Sequence, residues 1–315
     1  MSKLEVFKIS EDVVGIDLDS NKIRNIDLLF SKLIGKDSNL NHLKILCELE
    51  VVNQIQGSIL YDFKTSGIDF DFKKFGTKLL EAEKTKKGVR SKSISEGYLF
   101  TRYYEKKLVL LKLEGTEVID GETFEEKIQL GTDAEYYKIC IFELDYDNII
   151  VIDKNSRATQ YWVEKFLSLT IKRDSRINTK DVIKLIKNDT IFTEAIKSLD
   201  NFDEIKVTTE NYLFENKIFN KTVLLSQLNR LGLIDVSEES DLFSENSSAL
   251  DSEFIIDEKE VNKEYKKTLE ISENTKIYTK NFSKLKREGQ INLEDGWLSI
   301  KVNDAFLEKI KAELS

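Results

Sequence analysis

The 315-residue chain contains no proline, where a globular protein carries roughly 5%. Cis-proline turns and polyproline segments are thereby excluded as devices. Histidine is nearly missing too: His42 is the single one. It lies at the head of an apolar run with no nucleophile placed beside it, so a Ser-His-Asp or Cys-His mechanism lacks its base. The two cysteines, Cys47 and Cys140, do not make zinc spacing, and each sits among apolar residues as a buried thiol would. Neither a Walker lysine motif nor a Gly-x-Gly-x-x-Gly loop occurs, which removes the usual phosphate cradles. No run of about 18 apolar residues exists to span a bilayer. Met1–Ser10 alternates like a strand, carries Glu5 and lacks the apolar centre of a signal peptide. The expectation is a cytoplasmic, non-enzymatic protein without cofactor or metal.

Charge and apolar content are what the chain has in quantity. Apolar residues make up 40%, enough for real cores, and 57 Asp/Glu against 48 Lys/Arg leave a net charge of −9. On average such a surface repels nucleic acid, so any contact with a polyanion must come from local basic patches. The length favours two domains, expected at 1–153 and 154–315.

The patterning predicts an α+β fold: an antiparallel sheet with helices in the N-terminal half, a helical middle and a small C-terminal α+β part. Strands are expected at Leu4–Ser10, Val13–Leu18, Gly57–Thr65 and Phe124–Leu130. Hairpins are expected at Gly97–Leu113, turning at Glu105-Lys106, and at Tyr136–Asp153. Leu43–Val52 is apolar and ambiguous. Helices are expected at Lys22–Ile34 and at Phe70–Lys86, the latter with Phe72, Phe75, Leu79 and Leu80 inward. Trp162, Phe166 and Leu169 form one helical stripe within Thr159–Thr170, a helix that could also pack between subunits. Further helices follow at Thr179–Lys187, Thr190–Leu199, Asp203–Asn216 and Lys221–Leu231, the last opened by Asn220 and stopped by Gly232. Asp235–Glu260 is dominated by acids and serines and reads as a solvated linker. Thr275–Phe282 reads as a strand, Ile291–Val302 as a hairpin turning at Glu294-Asp295-Gly296, and Asp304–Leu314 as a closing helix.

Four cationic clusters stand out. Lys84, Lys86, Lys87, Arg90 and Lys92 contain no acid among them and suit a loop laid along phosphates. Arg102, Lys106 and Lys107 are interleaved with Tyr103 and Tyr104, a composition that can stack bases or simply pack a strand. Lys172, Arg173, Arg176 and Lys180 span the exit of one helix and the entry to the next. Lys284, Lys286 and Arg287 lie in a turn before the C-terminal hairpin. Arginine forks phosphate in a bidentate way, and an unstructured Lys84–Lys92 loop would lose roughly 1–2 kcal/mol per residue on ordering. Arg173 and Arg176 are therefore expected to matter more than Lys86 and Lys87. Glu105-Lys106-Lys107 and Glu125-Glu126-Lys127 distantly approach the Glu-x-Lys of metal-dependent nucleases, and such activity is the enzymatic alternative. A third alternative is an interaction protein that docks a basic partner through its acidic surface.

Two segments carry a family resemblance. Ser95-Glu-Gly-Tyr-Leu-Phe-Thr-Arg-Tyr-Tyr-Glu-Lys-Lys-Leu and Ile150-Val-Ile-Asp-Lys-Asn-Ser-Arg-Ala-Thr-Gln-Tyr-Trp-Val-Glu-Lys-Phe-Leu resemble the KwaB family, the soluble component of the Kiwa anti-phage defence system. Ile277–Phe282 through Leu298–Val302 resemble the tail of nucleoid-associated NdpA proteins. Contact mostly to phosphate would make DNA binding sequence-tolerant, and a homodimer or higher homo-oligomer is expected because closed two-fold dimers are the commonest soluble oligomer. The resemblance implies a DNA-binding protein. It would act on phage DNA with the membrane protein KwaA, which would recruit it to the inner membrane. It supplies no residue-level DNA contacts, so the candidate residues rest on charge clustering.

Overall fold

The computed structural model describes residues 2–34, 40–49, 58–119, 126–130, 137–145, 148–153, 159–279, 282–287, 289–302 and 304–314. The chain forms two compact units, residues 1–178 with 251–255, and residues 179–250 with 256–315.

In the first unit the elements are β1 (Lys3–Ile9), β2 (Val13–Gly15), α1 (Ser20–Ile34), β3 (Lys44–Leu49), α2 (Ile59–Ser66), α3 (Lys73–Glu83), β4 (Gly97–Tyr104), β5 (Lys107–Ile119), β6 (Glu126–Leu130), β7 (Tyr137–Glu143) and β8 (Asn148–Ile152). A π-helical turn, Tyr161–Phe166, and β9 (Leu169–Arg173) complete it. Strands pair in the order β2-β1-β4-β5-β7-β8-β3-β9, with β6 on the far end of β5. Every pairing is antiparallel. This is the expected α+β class.

Both sheet faces are covered, which is why β5 reads Leu108-Val-Leu-Leu without alternation. On one face Leu108, Leu110, Cys140, Phe142, Ile149 and Val151 meet α2, α3 and the π-helical turn. On the other, Val109, Leu111, Leu113, Phe100 and Ile139 meet Ile26, Phe30 and Leu33 of α1. Glu105 and Lys106 turn the β4–β5 hairpin with φ of 47° and 59°, the left-handed pair that a two-residue turn demands. Gly97 tolerates no side chain, because a Cβ there would meet the Leu113 carbonyl oxygen at 2.0 Å.

Three expectations fail here. Gly57–Thr65 is not a strand: Ser58 caps α2, its hydroxyl accepting from Tyr61 N, and Ile59, Leu60 and Phe63 at helical spacing fill the core. Gly57 itself lies outside the described residues. Thr159–Thr170 is not one helix, because Ser168 takes a φ of 52° and the chain leaves as β9 to pair with β3. The stripe Trp162, Phe166, Leu169 is buried as expected, but in this sheet's own core, so it offers no subunit contact. That packing and the β3–β9 pairing carry the first unit past Asp153 to Asn178.

The helix α4 (Ser175–Lys187) begins three residues earlier than Asn178, the expected opening. In the second unit follow α5 (Glu194–Lys197), α6 (Phe202–Glu215), β10 (Ile218–Asn220) and α7 (Lys221–Arg230). Asn220 caps α7 by accepting from Val223 N at 3.0 Å, and Gly232 ends it with φ 70°. The expected helix at Thr190–Leu199 shrinks to the single turn of α5. The acidic segment is no linker. It holds α8 (Glu239–Leu242), β11 (Glu253–Ile255) and the start of α9 (Glu258–Tyr265), and Leu242, Phe243, Leu250, Phe254 and Ile256 are buried. These apolar residues, spaced among the acids, override the average composition. The C-terminal part comprises β12 (Lys267–Ser272), β13 (Thr275–Thr279), α10 (Phe282–Arg287), β14 (Ile291–Glu294), β15 (Trp297–Ile300) and α11 (Asp304–Leu314). Thus Phe282 starts a helix and does not end a strand. Asp295 and Gly296, φ 48° and 82°, turn the last hairpin as expected.

Candidate nucleic-acid interface

Behind α3 the chain doubles back on itself. Lys84 and Arg90 bridge as an antiparallel pair, Thr85 N donates to Val89 O at 2.8 Å, and Gly88 N donates to Thr85 O at 2.9 Å. Gly88 has a φ of 75°, open to glycine at no steric cost. The Thr85 hydroxyl adds a bond to Val89 O at 3.0 Å, and Ser91 N donates to Glu83 O at 2.9 Å. The stretch expected to be an unstructured loop is therefore a hydrogen-bonded tip, and the ordering cost assigned to it does not arise.

Lys84, Lys86, Lys87 and Lys92 are exposed on this tip, and none makes an ion pair among the described residues. Arg90 differs. Its Nε and Nη2 donate to Glu83 Oε2 at 2.9 and 2.6 Å, and Nη2 also reaches Ser95 O at 2.8 Å. Arg90 thus roots the tip through Glu83 and Ser95.

Glu83 is in turn held by Lys112 of β5, whose Nζ lies 2.6 Å from Glu83 Oε1, both side chains having no exposed surface. The same Nζ donates to the Tyr161 hydroxyl at 3.1 Å and to Glu114 Oε1 at 3.4 Å. The Tyr161 hydroxyl donates in turn to Glu114 Oε1 at 3.2 Å. Burial pulls the Lys112 ammonium below the ordinary lysine range, against the opposing pull of Glu83 and Glu114. Burial, helped by Glu114 and Glu83, pushes the Tyr161 phenol up. Across the β5–β7 register Lys138 faces Lys112, donating to Asp153 at 3.1 Å and Thr159 at 3.0 Å. Three cations, Arg90, Lys112 and Lys138, and three carboxylates, Glu83, Glu114 and Asp153, thus neutralise each other behind the tip, in a geometry where buried charges must be paired.

Two of the other three cationic clusters are occupied. Arg102 lies 2.8 Å from Asp27 and stacks on Phe30 and Tyr104 at 5.4 and 5.1 Å. Tyr103 packs edge-on against Phe63 at 5.4 Å, a core contact and not a stacking platform. Lys106 pairs with Asp145 at 3.0 Å, and Lys107 with Glu143 at 2.8 Å. That hydrogen bond raises Lys107 and, with a second from Asn148, lowers Glu143. Lys172 pairs with Glu48 at 3.0 Å. Arg173 donates to Asn178 Oδ1 at 2.8 Å, and Arg176 is half-buried on α4. Lys180 reaches Glu260 at 3.9 Å. Lys286 is exposed on α10, which is a helix where a turn was expected; the side chains of Lys284 and Arg287 lie outside the described residues.

Of the nuclease candidates, Glu105 occupies the hairpin tip and the Glu126 side chain lies outside the described residues. No group of three or more His, Cys, Asp or Glu able to hold a metal ion occurs among the described residues. His42 has Glu253 at 4.0 Å from its Nδ1. No helix among the described residues is long and apolar enough to cross a membrane. Neither a family model nor a curated protein sequence matches the chain.

Sequence reading missed the network behind the tip. Lys112 was its one visible signal: a charge on the inward face of an otherwise apolar strand.

Proposed function

We propose that the protein is a DNA-binding component of anti-phage defence of the Kiwa type, holding the phosphate backbone through the Lys84–Lys92 tip. One observation carries this reading. On a chain of net charge −9, four exposed lysines without ion-pair partners among the described residues are gathered on one braced turn. Phosphate contacts of this kind are indifferent to base sequence and steep in salt. The resemblance to KwaB supplies the setting: phage DNA as the target, its replication as the process blocked, and KwaA as the membrane partner that recruits the protein.

Fluorescence anisotropy with labelled duplexes of unrelated sequence tests the binding. The expected result is similar affinity for all of them, lost steeply between about 50 and 200 mM salt. Absence of binding at low salt refutes the reading. Co-expression with KwaA followed by membrane fractionation tests recruitment, and a protein that stays in the supernatant refutes that part alone.

A further inference from the structure

From Lys267 onward the chain leaves large apolar side chains in water. Leu293 is 71% exposed, Trp297 79%, Tyr278 78% and Phe306 60%. Two-stranded hairpins such as β12–β13 and β14–β15 are marginal in water on their own and need a packed face. The face they share is open. A groove of about 900 Å3 is lined by Leu269, Ile271, Phe282, Ile291, Leu293 and Leu298, with Thr268, Glu270, Lys286 and Asn292 among them, a size and lining suited to an amphipathic occupant.

The same chain holds an apolar element without a seat. Phe306 and Ile310 lie one turn apart on α11, 60% and 40% exposed, and so form one stripe of the helix. A groove lacking an occupant and an amphipathic helix lacking a groove are complementary surfaces. Groove recognition of helices uses anchors at this spacing.

Charge favours the same partner. Residues 266–315 carry ten Lys/Arg against eight Asp/Glu, whereas residues 1–265 carry thirty-eight against forty-nine. Two copies of an acidic protein repel least where each is close to neutral. Size is adequate as well. If the 11-residue helix covers on the order of 400 Å2 on each side, a contact made twice reaches about 1,600 Å2, the size of a stable interface.

We propose that α11 of one copy lies in the β12/β14–β15 groove of a second copy and receives that copy's α11 in its own groove. The product is a closed two-fold dimer. This assignment does not depend on DNA binding and is tested without DNA.

Sedimentation equilibrium of the full chain at micromolar concentration reads the outcome. Two variants separate the surfaces: Phe306→Asp with Ile310→Asp on the helix, and Ile271→Asp with Leu293→Asp in the groove. All four residues are at least 40% exposed, and unchanged circular-dichroism melts verify folding. The wild type is expected to be dimeric. Each variant is expected to dissociate on the order of a hundredfold more readily, as on losing buried anchors. Mixed together, the two variants are expected to form heterodimers, since one intact helix then meets one intact groove. A monomeric wild type, dimers that ignore both pairs of substitutions, or no recovery on mixing overturns the proposal.

Discussion

Replacing Lys86 and Lys87 by glutamine tests the tip with two charges removed and no core contact touched. Both residues are exposed, and the turn is held by backbone bonds and by Thr85, so the fold is expected to survive unchanged. If each of the four lysines neutralises one phosphate, log affinity falls against log salt with a slope of about −3.6. Affinity then drops about 150-fold between roughly 50 and 200 mM salt. The double variant retains two contacts, a slope of about −1.8, and a drop of about twelvefold over the same range. Its affinity at ~0.1 M salt is expected to be about sixtyfold below that of the wild type. The control is Arg173→Gln with Arg176→Gln, which removes the same formal charge. Because Arg173 is already committed to Asn178 at 2.8 Å, this pair is expected to weaken binding by less than about threefold and to leave the slope steep. Anisotropy titrations at four salt concentrations measure both quantities. Equal losses from the two pairs mean that the contact is a diffuse field. A larger loss from the arginine pair means that the tip is not the site.

Three further outcomes are expected. Lys112→Met removes the cation at Glu83 Oε1 and leaves Glu83 held by Arg90 and Glu114 by Tyr161. The loss is therefore expected at the lower end of the range, about 3–5 kcal/mol, that breaking a buried pair from one side costs. For a unit of this size that lowers the melting temperature by about 10 °C, and scanning calorimetry should find the loss partly restored by adding Glu83→Gln. Cys47 is pushed from its ordinary 9.0 up to about 12, chiefly by burial. A folded-state value above the unfolded one stabilises fully below pH 9 and ceases to do so as pH rises through about 12. Urea midpoints are therefore expected to fall across that window, by up to about 1.4 kcal/mol per pH unit from this thiol. Cys47→Ala should remove that share, while Cys140, raised by burial in the same sense, retains its own. Finally, a glutamate-specific protease should leave residues 235–260 intact in the native protein, because Leu242, Phe243 and Phe254 are buried. Early cleavage there would restore the linker.

How far the sequence could be read depended on the range of the contacts. The hairpins at Gly97–Leu113 and Ile291–Ile300 were legible because alternation and turn residues act over a few positions. The inward face of α3 was legible for the same reason, with Phe75, Leu79 and Leu80 at helical spacing. Nothing local announces that β3 sits between β8 and β9, since its partners are about a hundred residues away in the chain. The same distance hid the network. Glu83, Arg90, Lys112, Glu114 and Tyr161 come from four elements, and apart from Lys112 each alone looks like an ordinary surface residue. Composition misled in the acidic segment, where the excess of carboxylates outweighed the five buried apolar residues in the average but not in the packing. It misled at the basic clusters too, because counting lysines does not show which ones already face an acid.

The position of β3 also shapes how the protein must be made. Lys44–Leu49 leaves the ribosome early, yet both of its sheet neighbours lie beyond residue 147. At ~5–20 residues per second the strand waits roughly 5 to 20 seconds with Ile45, Leu46 and Cys47 bare and both edges unpaired. β11, which belongs to the same unit, arrives later still, at Glu253–Ile255. The nascent chain is thus obliged to carry an incomplete sheet until β9 ends at Arg173, a little over half-way along the chain, the condition under which strand edges recruit one another. Lys44 and Glu48, charges flanking the apolar run, are the gatekeepers that such a delay requires.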